Sequence, residues 1–222
     1  MPPKPEGVKN YFDRVPKEWD TLYSHENRFM HVINQWLRPG LYERYKVTFA
    51  LCADIIPGAR VLDIGCGTGR YSIEFALRGA AKVVGIDFAP AMISFSEQKA
   101  KEMGVDQKCQ FIVGDFMEEA FAEPFDIIVA IGLFDYIAKP GPMMQKIAAL
   151  TKQRFIGTFP ADSLIMGTQR KIRYRLKRCP LYFYTFEKLA KLLQEANFRT
   201  YEIIPATTIN KGFIGVGNNS PA

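Results

Sequence analysis

The run Val61-Leu62-Asp63-Ile64-Gly65-Cys66-Gly67-Thr68-Gly69-Arg70 passes from a strand to a helix through three alternating glycines. Val61, Leu62 and Ile64 belong to a short segment apolar on both faces, as a strand buried inside a parallel sheet must be. Glycines at such a junction admit positive φ and let a ligand approach the backbone, while the helix behind them presents unpaired N–H groups. Three in alternation exceed what a plain strand-to-helix turn needs.

Strand-like and helix-like patterns alternate outward from this run, the signature of an α/β sheet with crossover helices. Strands are expected over 60–64, 82–86, 110–113, 126–131 and 154–159, and helices over 71–78, 90–103 and 141–150. Pro90 suits a first helical turn and Gly104 a C-terminal cap. Thr185 is placed to cap a helix with Leu189, Leu192, Leu193 and Ala196 on one face, which Asn197 ends. A closing pair of strands, 198–204 and 211–216, reads as a hairpin at one edge. Ahead of the sheet, Leu41, Tyr45, Phe49, Cys52 and Ile56 recur at helical spacing between Pro39-Gly40 and Pro57-Gly58. Earlier still, Val8, Phe12, Val15, Trp19 and Leu22 suggest two short helices divided at Pro16.

The chain has 222 residues, 48% of them apolar, which suits one structural domain rather than two. Residues 1–57 then form a helical arm and 58–222 the sheet domain. With 23% charged and 13% aromatic residues the chain is neither disordered nor coiled coil. No apolar run reaches the roughly 18 residues of a membrane helix, and the amino end lacks a secretory pattern. Cys52, Cys66, Cys109 and Cys179 are scattered, which indicates neither a disulfide framework nor a metal site and points to the cytoplasm. Of 29 basic residues, six (Arg170, Lys171, Arg173, Arg175, Lys177, Arg178) form one cluster, so the net charge of +6 is local.

Two ligand classes use a glycine loop of this kind. The dinucleotide fingerprint G-x-G-x-x-G would need a third glycine at Arg70 and cradles a pyrophosphate. Asp63, an acid at the strand end, repels a pyrophosphate and suits an ammonium group. S-adenosylmethionine (SAM) offers an amino acid end, a sulfonium, a ribose and an adenine, and no phosphate. Here 61–69 resembles motif I of the class I SAM-dependent methyltransferases, with Gly65, Cys66 and Gly67 at the cofactor and Cys66 as a small filler. The spacing continues to fit. Asp87, in Gly85-Ile-Asp-Phe-Ala-Pro90, matches the family's ribose-binding acid, and a carboxylate accepts both ribose hydroxyls on chemical grounds alone. By the same resemblance Phe88 lies along the adenine with Met92 behind it. Gly114-Asp115-Phe116 matches the adenine segment, where the Asp accepts from the exocyclic amine, and Ile131-Gly132-Leu133 matches the segment holding the methionine end. Asp87 and Asp115 also read as ordinary loop acids, and Phe88 and Phe116 as core aromatics. The resemblance covers about 58–217. It implies a Rossmann-like, seven-stranded, mostly parallel sheet with an antiparallel edge hairpin, helices on both faces and an N-terminal helical arm. SAM is the implied cofactor and S-adenosylhomocysteine the product.

The acceptor is read from the variable parts. Methylases of amide or adenine nitrogens carry [Asn/Asp]-Pro-Pro-[Tyr/Phe] after the fourth strand, where this chain has Gly132-Leu-Phe-Asp135-Tyr136. Asp135 and Tyr136 are candidates to face the acceptor, or else rim residues. The arm, with Tyr11-Phe12-Asp13 and Trp19-Asp-Thr-Leu-Tyr23, is similar to that of the small-molecule branch containing magnesium-protoporphyrin and quinone-biosynthesis methyltransferases. That similarity makes Tyr11 and Trp19 candidates to cover the cofactor and Tyr23 a candidate to reach the acceptor. The porphyrin enzymes have His before the Tyr after strand four, where this chain has Asp135. The only histidines are His25 and His31, both in the arm, and His31 is the candidate base should the arm close. Residues 160–184 are too long for a bare connection and read as a substrate lid. Their basic cluster with Tyr174, Tyr182, Phe183 and Tyr184 suits a flat or anionic metabolite methylated at oxygen or carbon; the alternatives are an RNA or protein methyltransferase using the cluster, or a non-catalytic SAM-binding protein.

Overall fold

The structure is a computed structural model and describes residues 39–161, 181–206 and 212–220. The arm residues Tyr11, Trp19, Tyr23, His25 and His31, the helices expected over 8–22, and the basic cluster lie outside the described residues. Helix α1 (Pro39–Cys52) leads into β1 (Arg60–Ile64), α2 (Arg70–Leu77), β2 (Lys82–Asp87), α3 (Pro90–Glu102) and β3 (Cys109–Val113). Then come β4 (Phe125–Ala130), a 3₁₀ turn (Phe134–Tyr136), α4 (Pro140–Leu150), β5 (Thr151–Pro160), α5 (Phe186–Glu195), β6 (Thr200–Pro205) and β7 (Gly212–Asn218).

The seven strands lie in the order β3-β2-β1-β4-β5-β7-β6. β3 through β5 are parallel, whereas β7 runs antiparallel between β5 and β6. The expected mostly parallel sheet with a closing hairpin is thus observed. Side chains alternate between two cores. Val61, Val83 and Ile127 face Phe49 and Cys52 of α1 and Phe75 of α2, while Leu62, Ile86 and Ile128 join Met144 and Ile147 of α4 and Leu189 and Leu193 of α5. Each fully buried side chain of this size contributes about 1.5–3 kcal/mol relative to exposure. Among the described residues no helix is long and apolar enough to cross a membrane.

The sequence-based boundaries hold to within a few residues, and each shift has a local cause. α1 starts on Pro39, which a first turn tolerates, and stops at Cys52 because the N–H groups of both Ile55 and Ile56 turn back to the Cys52 carbonyl. Gly104 and Asn197 adopt φ of +68° and +65° and end α3 and α5 as expected. The side chain of Thr185 accepts from the Lys188 N–H at 3.2 Å. β5 outruns its expected span at both ends, since β4 already pairs with it at Thr151 and β7 carries the pairing on to Pro160. β6 begins at Thr200, later than expected, since Phe198 turns inward to stack on Phe155 at 5.6 Å. Arg154 fastens α1 to this end of the sheet, donating to the Leu51 carbonyl, to Asp54 at 3.1 Å and to Asn218 at 3.1 Å.

Candidate active site

Strand order reverses between β1 and β4, and open α/β sheets bind ligands beyond the carboxyl ends of the strands at such a point. Gly65 follows β1 and Ile131-Gly132-Leu133 follow β4, on either side of it. Asp87 ends β2, and Gly114-Asp115 follow β3. The residues expected from four separate motifs therefore share one edge of the sheet. Leu133 closes over the first loop, its Cδ1 lying 3.1 Å from where a Gly65 Cβ would sit.

The glycine loop is held from three sides. Gly65 and Cys66 donate to the Ile86 carbonyl at 2.8 and 3.2 Å, which ties the loop to β2. Asp87 accepts from the Gly67 N–H at 3.0 Å with Oδ2, and from the Ala89 N–H at 2.9 Å with Oδ1. The fully buried Ser96 of α3 sets its hydroxyl 2.8 Å from both the Gly67 and the Met92 carbonyls, so one proton is shared between two acceptors. The Gly67 residue is thus fixed at both its N–H and its C=O. It sits at φ +53°, and a Cβ there would meet nothing within 4 Å, which leaves an open cradle. At Gly69 (φ +74°) a Cβ would lie 2.9 Å from Ser96 Cβ, so that glycine serves packing.

Asp63 takes on a task beyond the one expected for it. Gly69 caps α2 without a side-chain hydrogen bond, and Asp63 caps the helix from β1 instead. Its Oδ2 accepts from Ser72 N–H at 3.1 Å and from Ser72 O–H at 2.7 Å. Burial pushes the Asp63 pKa up to about 7. The Ser72 hydrogen bonds oppose that rise, and the charge of Asp87 adds to it. Burial also holds the Cys66 thiol well above its ordinary range, so this residue packs as a neutral group.

On the opposite wall, Gly132 (φ +77°) donates to Thr158 Oγ1 at 2.7 Å. The 3₁₀ turn beyond it buries Asp135, whose carbonyl accepts from Tyr182 N–H at 2.8 Å, and leaves Tyr136 half-buried. Tyr184 N–H donates to the Pro160 carbonyl at 2.9 Å, and Tyr184 bridges to Ala161. From α1, Arg44 brings Nη1 to 3.9 Å from where a Gly132 Cβ would sit. Arg70, at the position of a dinucleotide loop's third glycine, lies over Tyr45 at 4.2 Å and Tyr42 at 5.7 Å. After β3, Gly114 donates to the Asp87 carbonyl at 2.9 Å, and Asp115 Oδ1 accepts from Met117 N–H at 2.9 Å. Phe88 is half-buried beside Asp87, while Met92 and Phe116, at 2% and 4% exposure, are built into the interior.

Sequence reasoning passed over Arg44, Ser72, Ser96, Thr158 and Lys146. Each belongs to no motif, and all but Ser72 meet a motif residue distant in sequence, so the fold brings them to the site. The residues present fit SAM. The buried carboxylate of Asp87 beneath the loop favours a cation over a pyrophosphate, and the cradle at Gly67 is open.

Comparisons with known proteins agree in direction. A family model described as a methyltransferase domain matches residues 55–166. The chain is 30% identical over 164 residues to a magnesium-protoporphyrin O-methyltransferase of Rhodobacter capsulatus, covering 72% of this chain and 71% of that protein. It is 31% identical over 145 residues to a ubiquinone biosynthesis O-methyltransferase of Hahella chejuensis, covering 65% and 56%. The fold is similar to that of a magnesium protoporphyrin IX methyltransferase from Synechocystis solved with bound SAH, with a TM-score of 0.74, 22% identity, and 96% and 98% of the two chains covered.

Proposed function

The chain belongs to the methyltransferase-domain family, as a class I SAM-dependent enzyme, and on that premise we propose that it methylates an oxygen or carbon of a small, flat or anionic metabolite. The observation that carries this reading is the pairing of Asp87 with the open Gly67 cradle at the switch point of the sheet. Relatives named for O-methylation of a tetrapyrrole and of a quinone precursor support the acceptor class. A cytoplasmic setting belongs to the same proposal, and the described cysteines Cys52, Cys66 and Cys109 are free thiols.

When bound, SAM supplies an electrophilic methyl group on a good leaving group. The work left to the protein is alignment and exclusion of water. Holding a nucleophile about 3–3.5 Å from its target is worth roughly 7–11 kcal/mol of barrier. In this reading Asp87 accepts from the ribose hydroxyls, since each carboxylate oxygen has a lone pair beyond the one given to the backbone. Asp115, with the loop around Gly114, receives the adenine amine, and Phe88 flanks the ring. Arg44 beside Gly132 gives the carboxylate of the amino acid end a guanidinium partner, and the 131–133 backbone lines that end. The acceptor side is then the edge bearing Tyr136, Asp135, and the points Ala161 and Tyr184 between which 162–180 runs. Tyr11 and Trp19, over the cofactor, and Tyr23 and His31, toward the acceptor, complete the proposal from the arm, with His31 the proton acceptor if the nucleophile must lose one.

Incubation with methyl-labelled SAM and a fractionated cell extract tests it. Label is expected in a low-molecular-weight aromatic or carboxylated compound. Label confined to RNA or protein overturns the acceptor class.

A further inference from the structure

One side chain remote from every motif reaches the turn after β3. Lys146 stands on α4, whose Met143, Met144 and Ile147 are buried against the sheet and fix the helix as a platform. Its Nζ lies 2.6 Å from the Phe116 carbonyl, 3.2 Å from that of Met117 and 2.6 Å from that of Glu119. An ammonium has three N–H donors and no acceptor, so all three are used on one short stretch of backbone. The same group sits 4.8 Å above the Phe116 ring and 5.9 Å from the Phe121 ring, and those rings pack on each other at 6.0 Å.

That stretch is the single helical turn after β3. Glu118 and Glu119 donate back to the Asp115 carbonyl at 3.0 Å, and Asp115 Oδ1 closes the front of the turn on Met117 N–H. The turn does not continue into a helix, so the carbonyls at its far end point outward with their partial negative charge. A cation inserted among them neutralises that charge and locks the turn to α4. Asp115 is thereby clamped between its own hydrogen bond and a lysine some thirty residues downstream.

We infer that Lys146 is a positioning residue for the adenine end of the SAM site: it sets the turn that aims Asp115 at the exocyclic amine. The inference rests on the SAM reading above. It predicts an effect on base recognition rather than on the amino acid end, because Lys146 touches only the 116–121 stretch among the site's loops.

The test is calorimetric binding of SAM, S-adenosylhomocysteine and S-inosylhomocysteine, in which a carbonyl replaces the adenine amine. The wild-type chain is expected to prefer the adenosyl over the inosyl compound. Lys146→Met is expected to weaken SAM binding about tenfold and to bring the two homocysteine compounds toward equal affinity. Lys146→Arg, whose guanidinium still reaches two carbonyls, restores most of both the affinity and the preference. Lys146→Gln, with two amide donors, falls between and serves if the Met variant does not fold. Unchanged affinity in the Met or Gln variant overturns the inference. So does an equal loss for both compounds with the preference intact, which marks Lys146 as structural only. If the wild-type chain binds neither SAM nor S-adenosylhomocysteine, the SAM reading itself fails and takes this role with it.

Discussion

The glycine loop and the turn after β3 lie along one edge of the same sheet, yet they are held by opposite charges. Around the glycine loop two acids take backbone N–H groups, Asp87 those of Gly67 and Ala89 and Asp63 that of Ser72. Around the β3 turn the exposed groups are carbonyls, and a lysine takes three of them. Each piece of backbone selects its own support. A loop that opens a helix is rich in orphan donors and calls for carboxylates, whereas a turn that ends without continuing is rich in orphan acceptors and calls for a cation. Only the first arrangement leaves net negative charge under the ligand, which suits a sulfonium and an ammonium group.

The largest effect is expected on the glycine side. Gly67→Ala places a methyl group in the open cradle, and SAM affinity should fall by about two orders of magnitude, since a displaced backbone contact and a steric clash add. The left-handed φ costs about 1–2 kcal/mol with an alanine, so the melting temperature should drop by about 2–8 °C while the fold survives. Full affinity in that variant would show that the ligand lies elsewhere. The tenfold loss predicted for Lys146→Met comes next, and it sharpens the contrast because it falls on the adenine end alone.

Ser96→Ala should cost less. The shared proton means that only part of a hydrogen bond to the Gly67 carbonyl is lost, for a stability decrease of about 1 kcal/mol and a few-fold weaker SAM binding. Chemical denaturation and calorimetry on the same sample check both. A loss as large as that of Gly67→Ala would make the serine, and not the acid, the main support of the loop.

A pH dependence at Asp63 bears on stability alone. Its pKa rises on folding from an ordinary 3.8 to about 7, so between those values the folded chain binds the extra proton. Stability from this group is present in full below pH 3.8 and is lost as pH rises through about 7. Denaturation of the wild-type chain between pH 5 and 8 should therefore show a decline that Asp63→Asn flattens. Parallel slopes in the two proteins would remove Asp63 as the group responsible.

Much of this architecture was readable in advance because local rules and the fold agree. Pro90, Gly104, Thr185 and Asn197 mark helix ends by their own backbone and side-chain chemistry, and they mark them in the structure too. The glycine loop and Asp87 were legible because their roles depend on spacing from a strand end. Ser96, Lys146 and Arg44 were not, since nothing around a serine at 96 or a lysine at 146 says which carbonyl the fold will bring against it. Asp63 was legible as an acid with a purpose, but its capping of α2 through Ser72 depends on how closely that helix packs on β1.

Asp87 beside Gly67 is the centre of the proposed cofactor site. Titration of SAM into the wild-type chain and into Asp87→Ala tests it most directly. We expect saturable one-to-one binding to the wild type, and a loss of about 100-fold or more in the variant, as removal of a charge-assisted acceptor from a largely buried site requires. Equal affinity in the two proteins would contradict it.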